Sequence, residues 1–346
     1  MLFDRIKAKL FSAYLAWQCR PSRLLGHLKN KLPLSPLAPE PDGSVVKAAA
    51  LQVELKLFSN PLHFADEVHR RVKEAAEAGA QLIVFPEYHN LPLFGLLPGI
   101  DKMEETMAGQ NKEDDAETAD QISLVDIFHF MSPAVSPFIQ TLFSALAKTY
   151  GLHIMAGSYT LASGNQVVNR AFLFGPQGQL IGCQDKVHLL PMEAQWQLKR
   201  GSSLHHYDTP LGRLAMPVCM DATYYETFRI LEQHEVDIAL LPIANLEQYN
   251  YWLALRGIWP RVQESVIYGV KSALVGSLAG FTFTGKAGIF APLELTPAGD
   301  GILAEAACHD CEAMALADLD LSALHELRIN HPWRDTNPTL QPPYPR

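Results

Sequence analysis

Short, almost wholly apolar runs alternate along this chain with segments in which apolar residues recur every three or four positions. The first kind reads as strands buried on both faces, the second as helices with one covered face. Residues 45–55 form such a run. Asn60-Pro61 then opens a helix, a capping side chain followed by proline in the first turn, and Gly79 closes it. Residues 81–85 are the next strand, which ends at Pro86-Glu87. Ser136-Pro137 repeats the cap-and-proline signal for a helix that stops at Gly151. Residues 167–174 and 179–187 flank Gly175-Pro176-Gln177-Gly178 as a hairpin. Residues 214–218 read as a buried strand running into Cys219, 224–235 as a helix and 236–243 as a further strand. Strands over 272–277, 287–291, 302–307 and 313–318 and a helix over 321–328 complete the pattern. Alternation of this kind predicts an α/β layered body.

The ends differ from the body. Phe3, Ile6, Leu10, Tyr14 and Trp17 share one helical face near the start. Pro33, Pro36, Pro39 and Pro41 mark an extended linker, and Pro332, Pro338, Pro342, Pro343 and Pro345 an extended tail. The predicted layout is a basic amphipathic arm (1–31), a proline-rich linker (32–43), one domain (44–330) and a proline-rich tail (331–346). Residues 101–120 carry Asp101, Glu104, Glu105, Glu113, Asp114, Asp115, Glu117 and Asp120 and read as a solvated surface loop, with a lid overhanging the site near Glu87 as the alternative.

Charge sharpens this picture. The formal net charge is −9, which argues against nucleic acid as a partner. Residues 1–31 hold seven basic groups against Asp4, or +6, so the remainder carries −15. Docking of the basic arm on the body or on a second subunit is the simpler expectation, and peripheral contact with an anionic membrane the alternative. The stretch from Leu10 to Trp17 is short for a signal peptide, and no small-residue cleavage pattern follows it. Five cysteines, Cys19, Cys183, Cys219, Cys308 and Cys311, are too sparse for a disulfide framework and point to a reducing, cytoplasmic setting. Cys308-His309-Asp310-Cys311 has the spacing of half a metal site but has no second cysteine pair to complete it.

Three segments set a reactive side chain at the end of an apolar strand: Ile83-Val84-Phe85-Pro86-Glu87-Tyr88, Asp185-Lys186-Val187-His188-Leu189 and Met216-Pro217-Val218-Cys219-Met220-Asp221. Strand carboxyl ends are where sites gather in layered α/β folds. Singly, each has a plain reading: a buried small cysteine, a loop glutamate, a surface lysine. Together, and in this order, they resemble the nitrilase superfamily, the carbon–nitrogen hydrolases. The matching stretches are Phe85-Pro86-Glu87, residues 186–193 and Val218-Cys219-Met220-Asp221, supported by Glu226, Arg229, Leu240-Leu241-Pro242, residues 285–292, Ala317-Asp318-Leu319-Asp320 and Arg328.

The resemblance spans residues 45–330 and implies a four-layer α-β-β-α sandwich, paired into a homodimer or higher homo-oligomer through helices near Cys219. It implies Cys219 as nucleophile, Glu87 as proton shuttle and Lys186 as stabiliser of the oxyanion together with the Met220 N–H. Glu193 is then the support of Lys186. No cofactor and no metal are implied. Met220-Asp221 after the nucleophile departs from the Trp-Glu of true nitrilases, and Ala222-Thr223-Tyr224-Tyr225 lacks the arginines of the carbamoyl amino-acid branch. The expected reaction is therefore hydrolysis of a small-molecule amide. An acyl or amidino transferase using the same thioester, or a catalytically idle scaffold, are the alternatives. Tyr88, Leu91, Leu93, Phe94 and Leu96 are candidates to wall an apolar pocket.

Overall fold

The computed structural model describes residues 2–32, 44–100, 124–278 and 280–331. The proline-rich linker, the acidic 101–120 stretch and the proline-rich tail fall outside the described residues. Helices α1 (Leu2–Gln18) and α2 (Pro21–Leu28) precede β1 (Val45–Glu54), α3 (Pro61–Glu77) and β2 (Leu82–Val84). Then come α4 (Leu124–Tyr150), β3 (His153–Ser163), β4 (Gln166–Phe174), β5 (Leu180–Asp185), α5 (Pro191–Gln195) and β6 (Leu198–Lys199). The second half contains β7 (His206–Thr209), β8 (Gly212–Ala215), α6 (Tyr225–Gln233), β9 (Ile238–Ile243), α7 (Tyr251–Leu255) and α8 (Ile258–Ser265). It closes with β10 (Tyr268–Leu278), β11 (Phe281–Phe283), β12 (Gly288–Phe290), β13 (Ile302–Glu305), β14 (Ala313–Asp320) and α9 (Leu321–Asn330).

The strands pair in the order β5-β4-β3-β2-β1-β10-β9-β8-β7, and the centre from β3 to β8 is parallel. Period-two alternation splits the core into layers. On β1, Val46, Ala48 and Ala50 face an inner cluster shared with Leu214, Met216, Ile238, Leu240 and Val270. Ala49, Leu51 and Val53 face outward, toward α3 and α4. On β9, Ala239, Leu241 and Ile243 face outward toward Phe228 of α6 and Val262 of α8. Helices, sheet, sheet, helices is the four-layer α-β-β-α sandwich. Buried on both faces, these strands have to be apolar throughout, which is why they were legible as continuous runs.

Several expectations are met in detail. The Asn60 side chain accepts from the Leu62 N–H at 3.1 Å to cap α3, and Gly79 (φ +85°) ends it in the left-handed region. The hairpin closes through a 2.9 Å bond from the Gly175 N–H to the Gln179 carbonyl. Others are corrected. No helix starts at Pro137. α4 runs through Pro133 and Pro137, because its apolar face, from Ile127 to Tyr150, is buried. That burial outweighs the backbone bonds the prolines forfeit. α4 has the length and hydropathy of a membrane span, but the share of it that is buried lies in the protein core. The strand before the nucleophile ends at Ala215 rather than at Val218.

The arm is two helices, both joined to the main core by Leu15, Leu24 and Leu28. On α1 the inward face is that of Leu15 and of Phe11, which stacks on Phe130 of α4. Leu10, Tyr14 and Trp17 of the predicted face stand at least half exposed. Both faces of α1 are apolar, so periodicity did not select the one that docks. Cys308 and Cys311, the half metal site of the sequence reading, are joined by a disulfide in the turn between β13 and β14, and Cys19, Cys183 and Cys219 are free.

Candidate active site

Four strands of the sheet point their carboxyl ends at one spot. Glu87 follows β2, Lys186 follows β5, Cys219 lies beyond β8, and Ala244-Asn245 follows β9. Glu87 and Lys186 are completely buried, and the Lys186 Nζ lies 2.8 Å from Glu87 Oε1. The same Nζ is 2.8 Å from Glu193 Oε2, also completely buried. Cys219 is partly exposed and lines a cleft of about 340 Å³. Its Sγ lies 3.8 Å from Asn245 Oδ1 and interacts with Glu87 and with the Ala244 backbone.

Further hydrogen bonds fix each group. Glu87 Oε2 accepts from the Ala244 N–H at 3.0 Å, and Glu87 Oε1 from Asn169 Nδ2 at 2.9 Å. Asn169 also reaches Glu193 Oε1 at 3.2 Å, and the Tyr88 hydroxyl donates to the same oxygen. Glu193 Oε2 accepts from the Leu190 N–H at 2.8 Å, tying it to the start of α5. Gly157 makes the turn at Glu87 possible. It has φ +84°, and an added Cβ would fall 2.2 Å from the Pro86 carbonyl oxygen.

Asp221 joins the lysine and cysteine segments. Completely buried, it accepts from the His188 N–H at 2.7 Å, the Val187 N–H at 3.1 Å and the Val218 N–H at 2.9 Å. His188 bonds Asp221 and Glu226 at 3.1 and 3.2 Å and stacks on Tyr224, a structural arrangement. Two non-glycine residues in the left-handed region, Tyr88 (φ 54°) and Cys219 (φ 46°), belong to this site. Such backbone costs about 1–3 kcal/mol each and persists where the surroundings hold it. Met220 and Asp221 follow in a single turn of tight helix (Cys219–Thr223). The Asp221 N–H donates to the Val218 carbonyl at 3.0 Å, whereas the Met220 N–H stands at the start of the turn, where no helical acceptor reaches it, and can face an anion.

The electrostatics follow from burial. Burial pushes the Glu87 carboxyl above its ordinary range; Lys186 opposes the rise and Glu193 adds to it. Burial and the Glu87 charge hold the Cys219 thiol well above its usual value, with Lys186 pulling the other way. Burial disfavours the Lys186 ammonium, but Glu87, Cys219 and Glu193 together outweigh it and raise its pKa. The site therefore holds a permanent cation between two carboxylates and a thiol that needs a base to ionise.

Among the sequence candidates, Glu87, Lys186, Glu193, Cys219 and Met220 converge here. Tyr88, Leu91 and Phe94 line an apolar cavity of about 70 Å³ that shares Met192 and Leu246 with the cleft. Leu93 and Leu96 do not line it; they are buried in the core. Sequence reasoning missed Asn169, the capping role of Asp221, and Asn245. Asn169 had a signal: with Arg170 it interrupts the apolar run from Val167 to Phe174. Among the described residues no three His, Cys, Asp or Glu converge as metal ligands.

Three comparisons bear on this geometry. The sequence pattern of the carbon–nitrogen hydrolase family matches residues 47–293. The chain is 28% identical over 290 residues to a probable hydrolase, YhcX, of Bacillus subtilis, covering 82% of this chain but only 52% of that protein. It is 24% identical over 286 residues to a nitrilase of Pyrococcus abyssi, covering 83% and 94% of the two chains. The fold matches an amidase from Nesterenkonia sp. AN1 with a TM-score of 0.59 at 20% identity, covering 84% of this chain and 98% of that one. That structure carries the acetamide moiety of fluoroacetamide covalently added at its active-site cysteine.

Proposed function

This chain belongs to the carbon–nitrogen hydrolase family, and we propose that it hydrolyses amides through a thioester on Cys219. The observation that carries this reading is the meeting of Glu87, Lys186 and Cys219, from distant parts of the chain, beside a cleft that Cys219 lines. The cleft volume of about 340 Å³ suits a small-molecule ligand.

Glu87 takes the thiol proton as the sulfur attacks the amide carbonyl carbon. Lys186 and the Met220 N–H receive the oxyanion that forms, and a donor of that kind is worth about 3–4 kcal/mol. As the carbon–nitrogen bond breaks, Glu87 returns the proton to the departing ammonia or amine. A water then gives a proton to Glu87 and attacks the thioester, releasing a carboxylic acid and restoring the thiol. Each positioned proton transfer contributes about 10²–10⁴-fold. Glu193 and Asn169 keep Lys186 and Glu87 in register throughout. An amide rather than a nitrile is favoured by Met220-Asp221 after the nucleophile, where true nitrilases have Trp-Glu.

For assembly, the outward Tyr224, Tyr225 and Ile230, at the start of α6 and along it, support pairing into a homodimer there. The exposed Leu10, Tyr14 and Trp17 of α1, beside Lys9 and Arg20, support peripheral contact with an anionic membrane. Retention on anionic but not neutral vesicles would test that contact. The test of the activity is ammonia release from a panel of primary amides by the wild-type chain and by Cys219→Ala. Turnover that disappears in the variant is the expected result. Products formed only when an amine is added would turn the reading to a transferase, and no turnover of any amide would end it.

A further inference from the structure

Lys271 is a largely buried lysine that lines the cleft with no carboxylate paired to it among the described residues. It sits in the middle of β10, paired in register with Leu241 on one side and Gly288 on the other. Only 4% of the residue is exposed. Its side chain crosses the Phe290 ring, with the Nζ 4.9 Å from the ring centroid, and lines the same cleft as Cys219.

Three lysines or arginines rank as buried among the described residues. Lys186 lies between two carboxylates, and Arg71 pairs with Glu67 and Glu312. Lys271 alone has no hydrogen-bond or ion-pair partner among the described residues. The charges that act on it are Glu305, which attracts, and Lys286, which repels, and those two pair with each other at 3.6 Å. Burial is the larger effect and lowers the Lys271 pKa to about 8, so the ammonium still predominates at neutral pH. An ammonium confined at the wall of a cleft, with its stem buried in the sheet and no paired carboxylate, is costly to keep. A ligand that brings its own negative charge supplies the reason.

Resting on the proposed amide hydrolysis, we propose that Lys271 is the subsite for a carboxylate on the substrate, so that this chain prefers amides carrying that group. A single ammonium matches a monoanion, and the groups lining the cleft near it, Asn245, Gln248 and Tyr249, are neutral polar ones. The charged pair Arg256–Glu247 lies half exposed in the cleft lining, already closed at 3.0 Å. Binding one carboxylate at Lys271 is worth roughly 10- to 100-fold in affinity, the range of a hydrogen bond to a charged group.

Two measurements decide it. The first needs no turnover: protection of Cys219 from iodoacetamide by malonate, succinate or glutarate, followed by mass analysis of the Cys219 peptide. At least one dicarboxylate is expected to protect at a concentration roughly 10- to 100-fold below that of its neutral diamide. That protection should fade as pH rises through about 8 and the ammonium is lost. It should also be lost in Lys271→Met, which removes a buried charge at near-constant volume and so is expected to fold; Lys271→Gln serves if it does not. Equal protection by dicarboxylates and diamides, or protection unchanged in the variants, overturns the proposal. The second is the ratio of kcat/KM for succinamate to that for butyramide, expected to fall roughly 10- to 100-fold in Lys271→Met. A wild-type chain that hydrolyses butyramide and shows no preference for the anionic amide sinks the subsite and leaves the proposed function standing. A chain that hydrolyses no amide of the panel fails the function, and the protection measurement still judges Lys271.

Discussion

Asp221→Asn should damage stability and rate together, because one carboxylate holds both the lysine and the cysteine segments. Oδ1 takes the His188 N–H at 2.7 Å and the Val187 N–H at 3.1 Å, while Oδ2 takes the Val218 N–H at 2.9 Å. Asparagine keeps one oxygen. If that oxygen stays with His188 and Val187, the new NH2 group faces the Val218 N–H, and two donors confront each other in a fully buried place. The two surviving bonds lose their charge assistance, about 1 kcal/mol each, and the stranded donor costs about 1–3 kcal/mol, for a total of about 3–5 kcal/mol. In a domain of this size that is a fall in Tm of roughly 5–8 °C. Displacing Val187 or Val218 by even a fraction of an ångström also moves Lys186 against Cys219, and a misplacement of about 1 Å is worth ~10²-fold in rate. The assay is thermal unfolding by circular dichroism, with kcat for butyramide on the same preparations. A variant whose Tm lies within about 1 °C of wild type and whose kcat is unchanged would refute the reasoning, since the loss expected from those bonds is several-fold larger.

Three other outcomes follow from the same geometry. The rate requires ionised Glu87, whose pKa is raised by burial. Activity should therefore decline with falling pH along a limb that lies above the ordinary carboxylate range, and a limb centred near 4.3, the unperturbed glutamate value of about that size, contradicts it. Lys186→Met leaves Glu87 and Glu193 buried without their shared cation; a loss of about 3–5 kcal/mol in chemical denaturation and at least ~10²-fold in kcat is expected. Leu24→Ala, at a completely buried position of α2, should cost about 2–5 kcal/mol in the same unfolding transition as the body. A separate early transition would show that the N-terminal helices do not share the core.

Much of the site was legible because the fold advertises it. Glu87 and Cys219 each end a continuous apolar run, and such runs stand out when a strand is buried on both faces, whereas Lys186 follows Gln184-Asp185 on a half-buried strand and was legible by its local context. The order of the three segments and their local contexts then identified the family. What escaped lies where local pattern and tertiary packing part company. Pro137 looked like a helix start, yet the buried face around Phe138 and Leu142 carries α4 through it. α1 has apolar residues on two faces, so a helical wheel did not separate Phe11 and Leu15 from Leu10, Tyr14 and Trp17. Asn169 and Lys271 each sit mid-strand, and their polarity inside apolar runs was the signal available. Cys308 and Cys311 are joined across a turn between strands, a pairing that cysteine counting did not reveal.

The most direct measurement is the mass of the Cys219 peptide from enzyme quenched in acid during turnover of butyramide. If sulfur, carboxylate and ammonium work as one unit, the peptide carries a butyryl group, and Glu87→Gln and Lys186→Met both reduce the rate at which it forms. Ammonia released at full rate with Cys219 never acylated, or with the acyl group on a different residue, would contradict the account.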